Sequence, residues 1–170
     1  MPIQEDQKLR RARELGMVEG VSDTLEAIKK LADESDTFSC FRGHGSISWT
    51  ATPSIFRQSE RILNSEYMMV RDIVSRYPDH FIHDQTMFDR LVRMQHFGLP
   101  TRLLDVTSNP LVGLYFAVSE EAEQDGSLII YRVSADRKKY YDSDSVSCVC
   151  NLANLKSSEK EIIESTSATT

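Results

Sequence analysis

Apolar residues recur along this chain in two rhythms. One is the three-to-four spacing of an amphipathic helix, and the other is the short β-branched or aromatic run of a strand. The spacing predicts a helix over 21–34, where Leu25, Ile28, Lys29, Leu31 and Ala32 form a largely apolar face and Ser22 is placed to cap it. A short helix is predicted over 54–61, after Pro53. A longer one over 64–77 carries Tyr67, Val70, Ile73 and Val74 on one face and stops at Pro78. Over 86–97, Met87, Leu91 and Met94 point inward with Phe88 and Gln95 beside them. Asp84 or Thr86 caps that helix, and Gly98 sits where a C-cap glycine belongs.

Pro110 opens the next helix, with Leu111, Leu114, Tyr115 and Val118 as its stripe. Val146, Val149, Cys150 and Ala153 keep helical spacing within 143–155. Ser158 and Glu161 resemble a capping box for a last short helix. Strands are predicted over 37–42, 49–53, 101–106 and, most clearly, 127–133 after the Asp125–Gly126 turn. Helices and strands therefore mix in an α+β fold, with a small mixed or antiparallel sheet flanked by several helices. A polar arm over 1–20, with a short helix over 7–14, precedes the domain at 21–164. A small polar tail at 165–170 follows it.

Length and charge narrow the picture. The chain has 170 residues, 26 acidic and 20 basic, for a formal net charge of −6. One domain accounts for this length, and 40% hydrophobic residues supply a core. The acidic balance argues against coating nucleic acid by bulk charge. A basic patch would have to be gathered by folding from Arg57, Arg61, Arg71, Arg90, Arg93 and Arg102, which are dispersed and interleaved with acids. No apolar run has the ~18 residues of a membrane span, and the polar N-terminus has no secretory apolar region. Cys40, Cys148 and Cys150 form no scaffold pattern, which fits reduced thiols in a cytoplasmic protein. Neither the C-x-C pair nor the His80/His83 loop has metal-site spacing, so no metal is expected.

Two segments place polar residues where core is expected. In the first, Arg42 ends an apolar strand and Gly43, His44 and Gly45 follow directly. An arginine there can present a planar fork to a phosphate or carboxylate, while glycines allow close backbone approach. A strand-end salt bridge followed by a hairpin is the plain structural alternative. The second segment runs over 96–110 and holds His96, Thr101, Arg102, Asp105, Thr107 and Ser108. Its strand-to-helix junction offers N–H groups and a favourable dipole for an anion. Capping alone accounts for Ser108 or Asn109, but not for Thr101, Arg102 and Asp105. If 101–106 is a strand, Arg102 and Asp105 face opposite sides. His44 and His96 are each more often structural than catalytic at such positions, and Phe41 and Trp49 read as core anchors.

These segments resemble the signatures of the FRG domain family, named for the triplet seen here as Phe41, Arg42 and Gly43. The resemblance extends through Trp49, through Thr52-Pro53-Ser54-Ile55-Phe56-Arg57, and through the run HFGLPTRLLDVTSNPLVGLYFA at 96–117, spanning 22–155 in all. A further similarity is to the arginine–serine–glutamate ADP-ribosyltransferases, which pair an aromatic-Arg-Gly strand with a Ser-Thr-Ser element leading into an apolar helix. That similarity implies an ADP-ribosyltransferase-like fold and NAD as cofactor. By it, Arg42 holds an NAD phosphate or ribose. Thr107 and Ser108 buttress the nicotinamide pocket, and His44 or His96 contacts ribose hydroxyls. Gly43, Thr101, Arg102 and Asp105 complete the candidate binding set.

The implied chemistry is attack on the nicotinamide ribose carbon, with a carboxylate supporting an oxocarbenium-like transition state. In those transferases the carboxylate is a glutamate on a late strand. Here the late glutamates Glu159, Glu161 and Glu164 fall at helix positions, and no strand is visible after Val133. The catalytic residue is therefore unassigned, and the fold is expected to be short of its last strands. A catalytically inactive module for a phosphorylated or nucleotide ligand, or a protein partner, is the alternative function.

Overall fold

A computed structural model describes residues 14–31, 37–121 and 123–167. The chain divides into two units, Met1–Thr37 and Phe38–Thr170. The first unit contains helix α1 (Val21–Leu31). The helix begins one residue before Ser22. Gly20 occupies the cap position instead, its carbonyl accepting the N–H and the hydroxyl of Thr24 at 3.1 and 2.9 Å. The short helix predicted over 7–14 lies almost wholly outside the described residues.

The second unit begins within strand β1 (Thr37–His44) and continues through α2 (Glu60–Asn64), α3 (Glu66–Arg76), α4 (Pro78–Phe81), α5 (Met87–His96) and α6 (Pro110–Ser119). Strand β2 (Ser127–Ser134), α7 (Asp144–Asn151) and α8 (Ser157–Ser167) follow. The α+β reading holds: a two-stranded antiparallel sheet is flanked by helices.

The main apolar core is helical. Val70 of α3, Phe81 of α4, Met87, Leu91 and Met94 of α5, and Cys150 of α7 pack together with Ala153. The three α5 residues fall at i, i+4 and i+7, so one stripe delivers all of them to the core. Thr86 closes the start of α5 with a reciprocal capping box. Its hydroxyl accepts the Asp89 N–H at 3.1 Å, and its own N–H donates to the Asp89 carboxylate at 2.9 Å. Gly98 ends α5 at φ +79°, a conformation that suits glycine. Asp84, the other candidate cap, has a side chain only 3% exposed that holds Arg93 through three contacts of 2.6–3.0 Å. Val149 departs from its predicted stripe and is exposed, and so are Leu111, Tyr115 and Val118 of the predicted α6 stripe, because α6 packs through the small residues Gly113 and Ala117.

Three predicted elements differ. Residues 101–106 are irregular, and only Thr107 pairs with β1, by an isolated antiparallel bridge to Phe41. The reason is side-chain competition for the backbone. Ser54 Oγ accepts the Thr101 N–H at 2.9 Å, and Thr101 Oγ1 accepts the Leu103 N–H at 3.2 Å. Residues 49–53 also form no strand, because the chain turns at Ser46, whose carbonyl accepts the Trp49 N–H at 3.1 Å. The helix predicted over 54–61 is a short 3-10 turn at Ser54–Arg57 followed by α2. Near the C-terminus, the Lys156 N–H donates to Glu159 at 2.7 Å, so the first turn of α8 is set by that pair and not by Ser158 with Glu161. Helix α8 runs to Ser167, into the expected tail.

A buried ion cluster ties the second signature segment to the helices. Glu66, at the start of α3, receives the Arg102 fork at 2.7 and 2.6 Å and Lys160 of α8 at 2.7 Å. Its side chain is 3% exposed, and that of Arg102 is 13% exposed. Removing one partner would strand a buried charge. Glu66→Ala is expected to cost about 3–5 kcal/mol in urea unfolding. The double variant Glu66→Leu with Arg102→Leu is expected to lose less than the single one.

Helix α6 rests directly on the sheet. A Cβ built on Gly43 would overlap the Gly113 carbonyl oxygen and the Ala117 nitrogen, both backbone atoms of α6. Gly43→Ala should therefore destabilise by more than the ~1–3 kcal/mol usual for overpacking, since no side chain can swing aside. Soluble yield and thermal unfolding would show it.

Candidate functional site

Successive residues of β1 face opposite sides. Phe41 and Gly43 turn toward α6, and Phe41 is 4% exposed there as a core residue. Arg42 and His44 alternate with them along the strand and meet each other through the Arg42 Nε. A cleft of about 300 Å3 opens here, between the end of β1, the 105–107 segment and helix α6.

Arg42 is held at two points. Its Nε donates to His44 Nε2 at 2.9 Å, and its Nη1 donates to the Asp105 carbonyl oxygen at 2.8 Å. Among the described residues, three of the five guanidinium N–H donors stay uncommitted. His44 is 3% exposed, and its Nδ1 lies 3.1 Å from the Trp49 carbonyl oxygen. A carbonyl accepts only, so Nδ1 carries the proton, and Nε2 offers its lone pair to Arg42. This is the neutral form of the ring. Burial pushes the His44 pKa down, and the charges of Arg42 and Arg57 push it further, against upward pulls from the Trp49 carbonyl hydrogen bond and, more weakly, Glu120.

The sequence candidates divide into groups. Arg42, Gly43, His44, Asp105 and Thr107 all line the cleft. Thr107 is fixed by its two backbone bonds to Phe41, at 2.7 and 2.8 Å. Ser108 is exposed next to it in the chain. Thr101 is 1% exposed and lies outside the lining. Its hydroxyl donates to Gln95 at 2.5 Å, and Gln95 Nε2 donates to the Asp105 carboxylate at 2.6 Å. Thr101 thus positions Asp105 through Gln95. Arg102 does not reach the cleft, because its fork is occupied by Glu66 and its guanidinium lies over the Phe56 ring. His96 is exposed and lines a different, open cavity of about 640 Å3 with His83, Arg93 and Tyr141. The charges of Arg93 and Asp84 are already paired in that cavity.

Gly43 has a different task from the one its position suggests. It admits the α6 backbone directly against the strand, and that contact holds the cleft wall. Trp49, read as a core anchor, is 42% exposed and lines the cleft beside His44, with ring centroids 6.2 Å apart. Phe116 and Glu120 line it too. They stand at i+3 and i+7 from Gly113, so helical spacing alone places all three on one face of α6. Among the described residues, no group of three or more His, Cys, Asp or Glu is arranged to hold a metal, and no helix is long and apolar enough to cross a membrane. Cys40 and Cys150 are buried, which pushes their thiols up, and Cys148 is exposed.

A profile of the FRG domain matches residues 38–126. The chain belongs to the FRG domain family. Every residue lining the cleft falls inside the matched stretch, from Phe41 to Glu120. The FRG triplet thus combines three tasks in three adjacent residues: Phe41 is core, Arg42 faces the cleft, and Gly43 admits the helix. No curated protein and no solved structure matched this FRG chain.

The His44 environment sets a pH dependence. Its folded pKa lies below the ordinary 6.5, so on acidification the unfolded chain takes up a proton that the folded chain resists. This part of the stability is complete above about pH 6.5 and falls as pH drops toward the folded pKa. Urea unfolding at about pH 7 and about pH 5.5 should show a larger loss in the wild type than in His44→Gln, which cannot titrate. Equal losses in both proteins would mean that His44 is not held neutral.

Proposed function

We propose that the FRG cleft binds an NAD-type dinucleotide by its phosphate and nicotinamide-ribose end, and that its activity is ADP-ribosyltransferase-like. The observation that carries this reading is Arg42. It is anchored by His44 and the Asp105 carbonyl, yet keeps three N–H donors free in a cleft that also holds two exposed aromatic rings. Arg102 has its charge paired with the Glu66 carboxylate, whereas Arg42 has no carboxylate partner among the described residues. The volume is at the lower end of the ~300–1,000 Å3 of ligand pockets, which suits one end of a dinucleotide.

The residues divide the work accordingly. Arg42 binds the anionic part. His44 orients Arg42 by accepting its Nε–H, and this replaces direct ribose contact as its role. Thr107 borders the nicotinamide side, as the transferase similarity implies. Trp49 and Phe116 shield that side from water. The bound dinucleotide supplies an electrophilic ribose carbon with nicotinamide as its leaving group. A cytoplasmic setting, with reduced thiols and ready nucleotide supply, accords with this reading.

A second reading, a catalytically inactive binding module, is favoured by one observation. Glu159, Glu161 and Glu164 lie on α8, and Glu159 is engaged with the Lys156 N–H. None of the three lines the cleft. Nicotinamide release separates the two readings, since only a transferase-like activity produces it.

NAD at about a hundred times its Kd should stabilise the protein by about 2.7 kcal/mol, seen as a raised Tm. Arg42→Ala is expected to abolish the shift. Arg102→Gln is expected to lower the starting Tm but keep the shift. No shift with millimolar NAD would refute the dinucleotide reading.

A further inference from the structure

The cleft carries charges of both signs. Arg42 presents its spare donors there, and Arg57 is close enough for its charge to act on His44. Glu120 also lines it, and its charge likewise reaches His44. No hydrogen bond or ion pair engages the Glu120 carboxylate among the described residues. The second carboxylate of the lining, Asp105, is already held by Gln95.

Glu120 is also badly placed for stability. It follows directly on α6, at the end where the helix dipole is negative and where a cation is favoured. The last turn of α6 carries no basic residue to balance it. Two negative sources, the carboxylate and the helix pole, therefore converge on the same part of the cleft. Trp49 and Phe116, 42% and 48% exposed, border the same space. Aromatic faces attract cations, and a planar cation can also stack on them.

We infer that Glu120 is a specificity-determining residue, selecting ligands whose planar ring carries a positive charge. This inference rests on the dinucleotide reading for the identity of the natural ligand, and it adds a requirement that the reading lacks. Phosphate and ribose are the same in oxidised and reduced dinucleotides. Only the ring differs: the oxidised nicotinamide is a pyridinium cation, and the dihydro ring is neutral. Arg42 cannot distinguish the two forms, but Glu120 with the aromatic pair can.

The test compares the binding of NAD+, NADH and 1-methylnicotinamide chloride by calorimetry to the full chain and to Glu120→Gln. The wild type is expected to bind NAD+ about tenfold more tightly than NADH, the scale of one desolvated cation contact. Glu120→Gln should bring the two affinities close together without lowering the Tm of the free protein, since Glu120 is exposed, without a partner among the described residues, and opposed by the helix pole. Equal wild-type affinities, or a preference that survives in Glu120→Gln, would overturn the inference and leave the dinucleotide reading standing. If neither dinucleotide binds, that reading fails and 1-methylnicotinamide decides the inference alone. Glu120-dependent binding of that cation supports it, and no binding overturns it.

Discussion

The close approach of α6 to β1 at Gly43 is the constraint on which the cleft depends. Only a residue without a side chain lets two backbones meet there, and the helix then stands one atom layer from the strand. Arg42 and His44 flank that contact on the strand, while Gly113, Phe116 and Glu120 share a face of the helix. A shift of the helix would move one wall of the cleft as a whole. Gly113 repeats the device from the other side, since a Cβ there would press on Leu128 and Phe41.

The second wall is set by hydrogen bonds instead of close packing. Residues 101–107 lack regular structure, so each polar group needs a specific partner. Ser54 and Gln95 hold Thr101, Gln95 holds Asp105, and Phe41 holds Thr107. Asp105 then offers its carbonyl oxygen to Arg42. Glu66 draws Arg102 toward the helical core, which commits the segment to its path. Two arginines of similar appearance thus differ in their pairing: Arg102 is neutralised by Glu66, and Arg42 lines the cleft with no carboxylate partner among the described residues.

Much of the helical half was legible in the sequence. Met87, Leu91 and Met94 give a clear stripe, and Thr86 with Gly98 brackets it, because these signals act within one helix. The 127–133 strand and its turn were equally plain. The strand read into 101–106 failed because its β-branched and apolar residues satisfy a strand pattern, whereas Ser54 and Thr101 side chains take its backbone groups. The cleft was legible at Arg42, Gly43, His44, Asp105 and Thr107. His96, Thr101 and Arg102 were drawn into the same set by nearness in the chain, which does not specify direction in space. Trp49 was hidden by its apolar bulk, and Glu120 by its place at the end of a hydrophobic run.

The sequence by itself determined the α+β character, the α5 stripe with its caps, and the FRG membership signalled by its motifs. These follow from residues near one another in the chain, where spacing fixes geometry. Only the tertiary structure decided which polar groups meet. Arg42 finds Asp105 across 63 positions, and Arg102 finds Glu66 across 36. Pairings at such separations depend on how helices and strands pack. Packing here turns on a missing Cβ at Gly43 and a buried carboxylate at Glu66.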